Sequence, residues 1–147
     1  IEFYPESDWH DLMQVNVNAA FHLSKVLIPA LSQSTDARVI FTSSSVGRVG
    51  RGYWGAYAVS KFALEGLMQT MAEELVNTTQ IRTNSLNPGG TRTKMRKDAY
   101  PAEDPSTQPT PESIMPVYLY LMSPEAQSLN GKAINVRGFD PAEYAED

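Results

Sequence analysis

The sequence predicts an α/β fold built on a parallel sheet, because helical and strand-like segments alternate along the whole chain. The first strand segment, 38–42, is apolar on consecutive positions, as a strand buried on both faces is. Glycine and proline clusters separate the segments at the intervals that helical crossovers between parallel strands require.

The first segment carries Trp9, Leu12, Met13, Val15, Ala19, Ala20, Leu23, Val26 and Leu27 at helical spacing, which predicts one long helix over 8–31. Ser7 stands as its N-cap, Asp8 and Asp11 favour its first turn, and Pro29 makes its end irregular. Residues 38–42, Arg-Val-Ile-Phe-Thr, read as a buried strand running into Ser43-Ser44-Ser45. A loop with Gly47, Gly50, Gly52 and Gly55 follows, and Phe62, Ala63, Leu64, Leu67, Met68, Met71 and Leu75 give a second helix over 56–76.

Residues 81–86 form a second strand, stopped by Asn87-Pro88-Gly89-Gly90. Segment 94–111 holds Pro101, Pro105, Pro109 and Pro111 among polar residues and reads as a loop or lid. A third helix over 111–122 buries Ile114, Val117, Tyr118 and Leu121, with Pro116 straining its early turns. Residues 133–136 are the last strand, and the acidic tail 139–147 is expected to fray. Three strands alone leave a sheet edge open and a flank uncovered. The chain also starts at Ile1 instead of methionine, so a piece of a longer protein is expected, with its partner strands upstream.

Bulk properties narrow the function. With 41% hydrophobic and 20% charged residues, the 147-residue chain has an ordinary globular composition. A net charge of -5 with Lys and Arg scattered singly argues against a nucleic-acid surface. No apolar run approaches the ~20 residues of a membrane-spanning helix. The absence of cysteine excludes disulfides and thiolate metal sites, and suits a reducing, cytoplasmic setting. His10 and His22 lack partners at metal-ligand spacing, so no metal is expected.

Tyr57-Ala58-Val59-Ser60-Lys61 is the stretch that carries chemistry. On a helix Tyr57 and Lys61 share one face, and an ammonium beside a phenol favours the phenolate, which suits proton transfer to or from a carbonyl or alcohol oxygen. The spacing alone is weak, since a chain of this length meets a chance Tyr-x-x-x-Lys roughly one time in four. Taken alone, it describes a helix with one aromatic and one solvated lysine.

Its surroundings are more specific. Ser44 lies thirteen residues before Tyr57 at a strand end; Ser43 and Ser45 are alternatives, and the spacing with Gly47 at plus three selects Ser44. Asn16 lies in the first helix, with Asn18 as its alternative. Asn87-Pro88-Gly89-Gly90-Thr91-Arg92-Thr93 follows the second strand. In order and spacing these elements resemble the short-chain dehydrogenase/reductase family over residues 8–138.

The resemblance implies a Rossmann-like doubly wound parallel sheet, of which residues 1–147 would be the C-terminal, catalytic part of a single domain. The N-terminal dinucleotide-binding strands are expected to be absent from this chain, with 94–111 as a substrate loop. It implies an oxidoreductase that passes hydride between NAD or NADP and a carbonyl or secondary alcohol. Ser44 and Tyr57 would hold the substrate oxygen, Tyr57 would move the proton, and Lys61 would also bind the nicotinamide ribose. Asn16 would continue a proton relay from a kinked helix. Pro88, Gly89, Gly90, Thr91 and Thr93 would lie beside the nicotinamide, although the glycines could serve only as a turn and Thr93 only as a helix cap.

The family's Gly-x-x-x-Gly-x-Gly phosphate loop does not occur in the sequence, so this chain alone should bind a dinucleotide poorly. The last strand ends in Arg137-Gly138-Phe139-Asp140 where the family often has Asp-Gly-Gly. Trp54 reads first as a surface-packed tryptophan and second as a pocket wall. The resemblance also implies a homodimer or homotetramer through the helices at 8–31 and 56–76. Other readings are a fold-retaining binding or assembly protein, and isomerase, epimerase or dehalogenase chemistry on the same tyrosine.

Overall fold

The computed structural model describes residues 1–144. Its sheet has three parallel strands in the order β1 (Ala37–Thr42), β2 (Ile81–Asn87), β3 (Ala133–Asn135). The expected α/β alternation is therefore observed. Helix α3 (Gly55–Leu75) joins β1 to β2, and α5 (Pro111–Leu121) lies between β2 and β3.

Side-chain alternation along the strands builds a core on each face of the sheet. On one face Phe41 packs with Leu64, Met68 and Met71 of α3. On the other, Leu86 and Ile134 pack with Leu121 of α5, Ala126 and Leu129. The expected uncovered flank thus carries a helix. β3 is short, and side chains supplement its ladder: Asn84 Nδ2 donates to the Leu129 carbonyl at 2.8 Å, while the Lys132 N–H donates to Asn84 Oδ1 at 2.9 Å.

The first helical segment differs from its expectation in three ways. It begins at Glu6, one residue after Pro5, whose fixed φ and missing N–H suit the start of a helix. Ser7 is therefore inside the helix, its hydroxyl donating to Asp8 Oδ1 at 3.3 Å. A π turn at Gln14–Asn18 divides the segment into α1 (Glu6–Met13) and α2 (Ala19–Leu31). None of these residues is fully buried: Trp9, Leu12, Met13, Ala19 and Ala20 are half-buried, with Ala20 and Ile28 packed on the Phe41–Met68 core, while Val15 and Val26 are 71% and 73% exposed. Pro29 does not end α2, because the turn beyond it closes through Ser32, whose N–H and hydroxyl both donate to the Ile28 carbonyl.

Segment 94–111 is more ordered than a loop. Thr93 Oγ1 accepts the Arg96 N–H at 3.2 Å and caps α4 (Lys94–Ala99). Asp104 caps a 3₁₀ turn at Pro105–Thr107. The tail is also fixed as far as it is described: Phe139 stacks on Tyr144 at 5.7 Å and packs on Tyr120 at 5.2 Å. The expectation for residues 145–147 lies outside the described residues.

Candidate active site

Parallel register brings the site together. Thr42 pairs with Leu86, and the Ser43 N–H extends the ladder by donating to the Leu86 carbonyl at 2.8 Å. The chain segments beyond these strand ends, Ser44 on one side and Pro88-Gly89 on the other, are therefore neighbours at the carboxyl end of the sheet. Ser44 is extended and starts the 3₁₀ turn Ser45–Gly47. Gly47 lies directly against α3. A Cβ there would lie 2.8 Å from Lys61 Cβ and 2.9 Å from the Lys61 carbonyl oxygen.

Helix α3 starts at Gly55, whose φ of +45° strains any other residue and where a Cβ would collide with the Tyr4 ring. Tyr57 and Lys61 follow one turn apart. Lys61 Nζ donates to the Thr42 carbonyl at 2.9 Å and lies 5.5 Å from the centre of the Tyr57 ring. Burial pulls the Lys61 ammonium below its ordinary pKa. Asn16 sits in the π turn, a geometry that shifts the helical hydrogen-bond register. Its Nδ2 donates to Ser60 Oγ at 3.0 Å, and Ser60 Oγ donates to the Tyr57 carbonyl at 2.8 Å. The Asn16 side chain is thus tied to α3.

Two clefts meet here. One, of about 730 Å³, is lined by Asn16, Ser43 and Lys61. The other, of about 810 Å³, is lined by Trp54, Thr93 and Tyr100. Ser44, Tyr57, Asn87, Pro88 and Gly89 line both. The serine and the tyrosine therefore stand where the two spaces join.

The segment after β2 divides between turn, lid and cleft. Asn87 Oδ1 accepts the Gly89 N–H at 3.0 Å, and Gly89 takes a φ of +73° with nothing within 4 Å of the position of a Cβ. At Gly90 a Cβ would meet the end of the Gln108 side chain of the lid, which can swing aside. Thr91 is buried, its hydroxyl 3.5 Å from the Gly89 carbonyl. Thr93 has the capping role given above, and its hydroxyl proton remains available to donate.

Several groups at this end of the molecule are not marked by any motif. Arg48, one residue beyond Gly47, pairs with the buried Glu65 at 3.0 Å and donates to Asn135 Oδ1 at 2.8 Å. Ser85 Oγ donates to the other Glu65 oxygen at 2.6 Å, and Asn87 Nδ2 donates to Asn135 Oδ1 at 2.9 Å. This network joins the Ser44 turn, α3 and the Asn87-Pro88-Gly89 turn. Trp54 is a cleft wall against Tyr57 and Tyr100, which corrects its reading as surface packing. Arg96 makes a two-pronged pair with Glu103, 2.7 Å on each prong, and lies 3.7 Å over the Tyr100 ring. Its hydrogen bond holds the Glu103 carboxyl below the usual carboxylate range.

Among the described residues no group of three His, Asp or Glu could hold a metal ion. No described helix is long and apolar enough to cross a membrane.

Comparison with known proteins agrees with this arrangement. The family model for short chain dehydrogenases matches residues 1–104. An uncharacterized oxidoreductase of Escherichia coli K12, YciK, is 51% identical over 129 residues, 88% of this chain and 50% of the relative. A short chain dehydrogenase structure from Pseudomonas syringae superposes with a TM-score of 0.90 at 58% identity, covering 92% of this chain and 55% of that one. One from Shigella flexneri, complexed with NADP, has a TM-score of 0.90 at 47% identity, covering 93% of this chain and 56% of that one. The chain thus spans about half the length of the relatives it matches. By a family match over most of its length and a shared Rossmann-like backbone, the chain belongs to the short chain dehydrogenase family.

Proposed function

We propose that the chain is the C-terminal, catalytic half of a single Rossmann-like domain whose parent is an NAD- or NADP-dependent oxidoreductase of carbonyls or secondary alcohols. The observation that carries this reading is the position of Ser44 and Tyr57 on the boundary between two clefts, with Lys61 on one side only. A proton-transferring phenol belongs where substrate and hydride carrier meet. The relative complexed with NADP supports the same cofactor class.

The residues present fit one end of such a cofactor. Lys61 offers ammonium protons beyond the one given to Thr42, and Gly89 leaves its face open to close approach. Pro88, Gly89, Gly90, Thr91 and Thr93 would border the nicotinamide. When bound, the dinucleotide supplies or accepts hydride.

Ser44 Oγ and Tyr57 Oη hold the substrate oxygen by hydrogen bonds. Tyr57 gives its proton to that oxygen in reduction and takes it back in oxidation. The Lys61 cation, fixed by the Thr42 carbonyl, favours negative charge on the phenol oxygen left behind. Asn16, through Ser60, holds the first turn of α3 against the π turn, where a displaced backbone carbonyl would hold by hydrogen bond the water that relays the proton to solvent.

In this reading segment 94–111 selects the substrate and the exposed apolar residues of 8–31 and 56–76 join copies of the chain. A cytoplasmic setting goes with it. Replacement Tyr57→Phe in the full-length protein keeps the ring and removes the proton. Turnover should fall by at least about a hundredfold while cofactor affinity, read by NADPH fluorescence, stays within about threefold. Near-normal turnover by that variant overturns the assignment.

A further inference from the structure

The two clefts differ in chemistry. In the cleft that holds Asn16 and Lys61, Tyr57 is the only aromatic lining residue. The other is walled by Trp54 and by Tyr4, Tyr53, Tyr57, Tyr100 and Tyr118, five of the seven tyrosines in the chain. We propose that this second cleft takes a flat aromatic carbonyl compound, an aryl ketone or aldehyde, in preference to a straight-chain one. The proposal rests on the oxidoreductase reading of Ser44 and Tyr57.

Most of this wall is held in place by other parts of the chain, whereas the Tyr53 ring at its rim is fully exposed. Trp54 lies 5.7 Å from the Tyr57 ring at 42° and 6.3 Å from the Tyr100 ring at 47°, offsets at which aromatic rings attract. Tyr100 is backed by the Arg96 guanidinium at 3.7 Å, itself held flat by Glu103. Tyr118 is anchored by the 3.0 Å hydrogen bond between its hydroxyl and Thr42 Oγ1. The Tyr4 ring occupies the space left by Gly55.

A third ring laid on Trp54 and Tyr100 extends the same offset pattern, with its carbonyl substituent directed to the adjoining Ser44 and Tyr57. A straight chain gains no ring attraction there and loses the freedom of each of its torsions on binding. The cleft of about 810 Å³ also takes in Gly90, Thr91 and Thr93, set above beside the nicotinamide, so the aryl ring is assigned to its Trp54–Tyr100 end.

The test is a matched pair, acetophenone and 2-octanone, which have equal carbon counts. Dissociation constants are read by ligand-observed saturation-transfer NMR on the full-length protein with its dinucleotide. Acetophenone should bind at least tenfold tighter, and Trp54→Leu or Tyr100→Leu should shrink the ratio to under about threefold. A wild-type ratio near one, or a ratio unchanged in both variants, overturns the inference. Binding and turnover separate the two claims: a Tyr57→Phe variant with normal turnover defeats the oxidoreductase reading, whereas an inverted binding ratio defeats only the aromatic preference.

Discussion

Gly47 shows why a small residue follows Ser44 at plus three. Its missing Cβ is what lets the Ser45–Gly47 turn lie on the Lys61 backbone, so serine and lysine share one rigid wall. Gly47→Ala must push α3 away, an overpacking that costs about 2 kcal/mol and moves Lys61 from Thr42. A lowered urea midpoint together with a loss of turnover checks this; a variant as stable and active as wild type refutes it. The neighbouring Arg48–Glu65 pair is subject to a different penalty. Glu65 is 5% exposed, so Glu65→Ala leaves a largely buried guanidinium without its carboxylate and should cost about 3 kcal/mol, the lower end for a buried pair. Lys61 adds a pH signature. Its folded pKa is below the ordinary 10.5, so folding favours its neutral form. Its contribution to stability is complete above 10.5 and is lost as pH falls through the lowered folded value. Lys61→Met should remove this alkaline rise from the pH dependence of the unfolding free energy, and an unchanged profile would contradict it.

At the scale of elements, the lid over 94–111 is latched to the site by cations. The Arg92 guanidinium donates to the carbonyls of Pro105, Ser106 and Gln108 at 2.9 to 3.1 Å, and the Arg96–Glu103 pair closes the turn between α4 and Pro105–Thr107. Glu103 has a folded pKa below its ordinary 4.5, chiefly through the Arg96 hydrogen bond. The latch is therefore fully present above 4.5 and is lost as pH falls through the lowered folded value. With Trp9→Phe leaving Trp54 as the sole tryptophan, emission should be constant from pH 7 to 4.5 and change below. In Glu103→Gln, the change should be absent. The latch was not legible in the sequence, because Arg96 and Glu103 meet only when α4 and the turns after it form, and the four prolines of the segment mark it as a loop. Tyr57, Lys61, Ser44 and Pro88-Gly89 were legible for the opposite reason: each pair is set by a helix repeat or a strand end. The periodicity of 8–31 reported an amphipathic helix but could not report what covers it, and so gave no sign that Val15 and Val26 are exposed. Nor does a 3.6-residue period reveal a π turn, since the apolar spacing runs on through Gln14–Asn18.

For the molecule as a whole, the proposed function puts the proton-transfer groups and the phosphate-binding groups in separable parts. The described residues form a sheet whose β1 has a partner on one edge only, and the sequence contains no Gly-x-x-x-Gly-x-Gly loop. In doubly wound folds that loop holds the pyrophosphate on a helix N-terminus, while in the proposed reading the groups present here would face only the nicotinamide end. Loss of the pyrophosphate contacts is worth about 3 kcal/mol, or roughly a hundredfold in affinity. The 147-residue chain should therefore bind NADPH at least about a hundredfold more weakly than the full-length protein, as read by cofactor fluorescence titration of both. Lys61→Met should weaken binding further in the full-length protein, by removing the cation at the ribose end without touching the phosphate loop. Equal affinities for the short and long proteins would mean that Lys61 and the Pro88-Gly89 turn hold the dinucleotide by themselves. The division between a phosphate-binding part and a proton-transferring part would then be wrong.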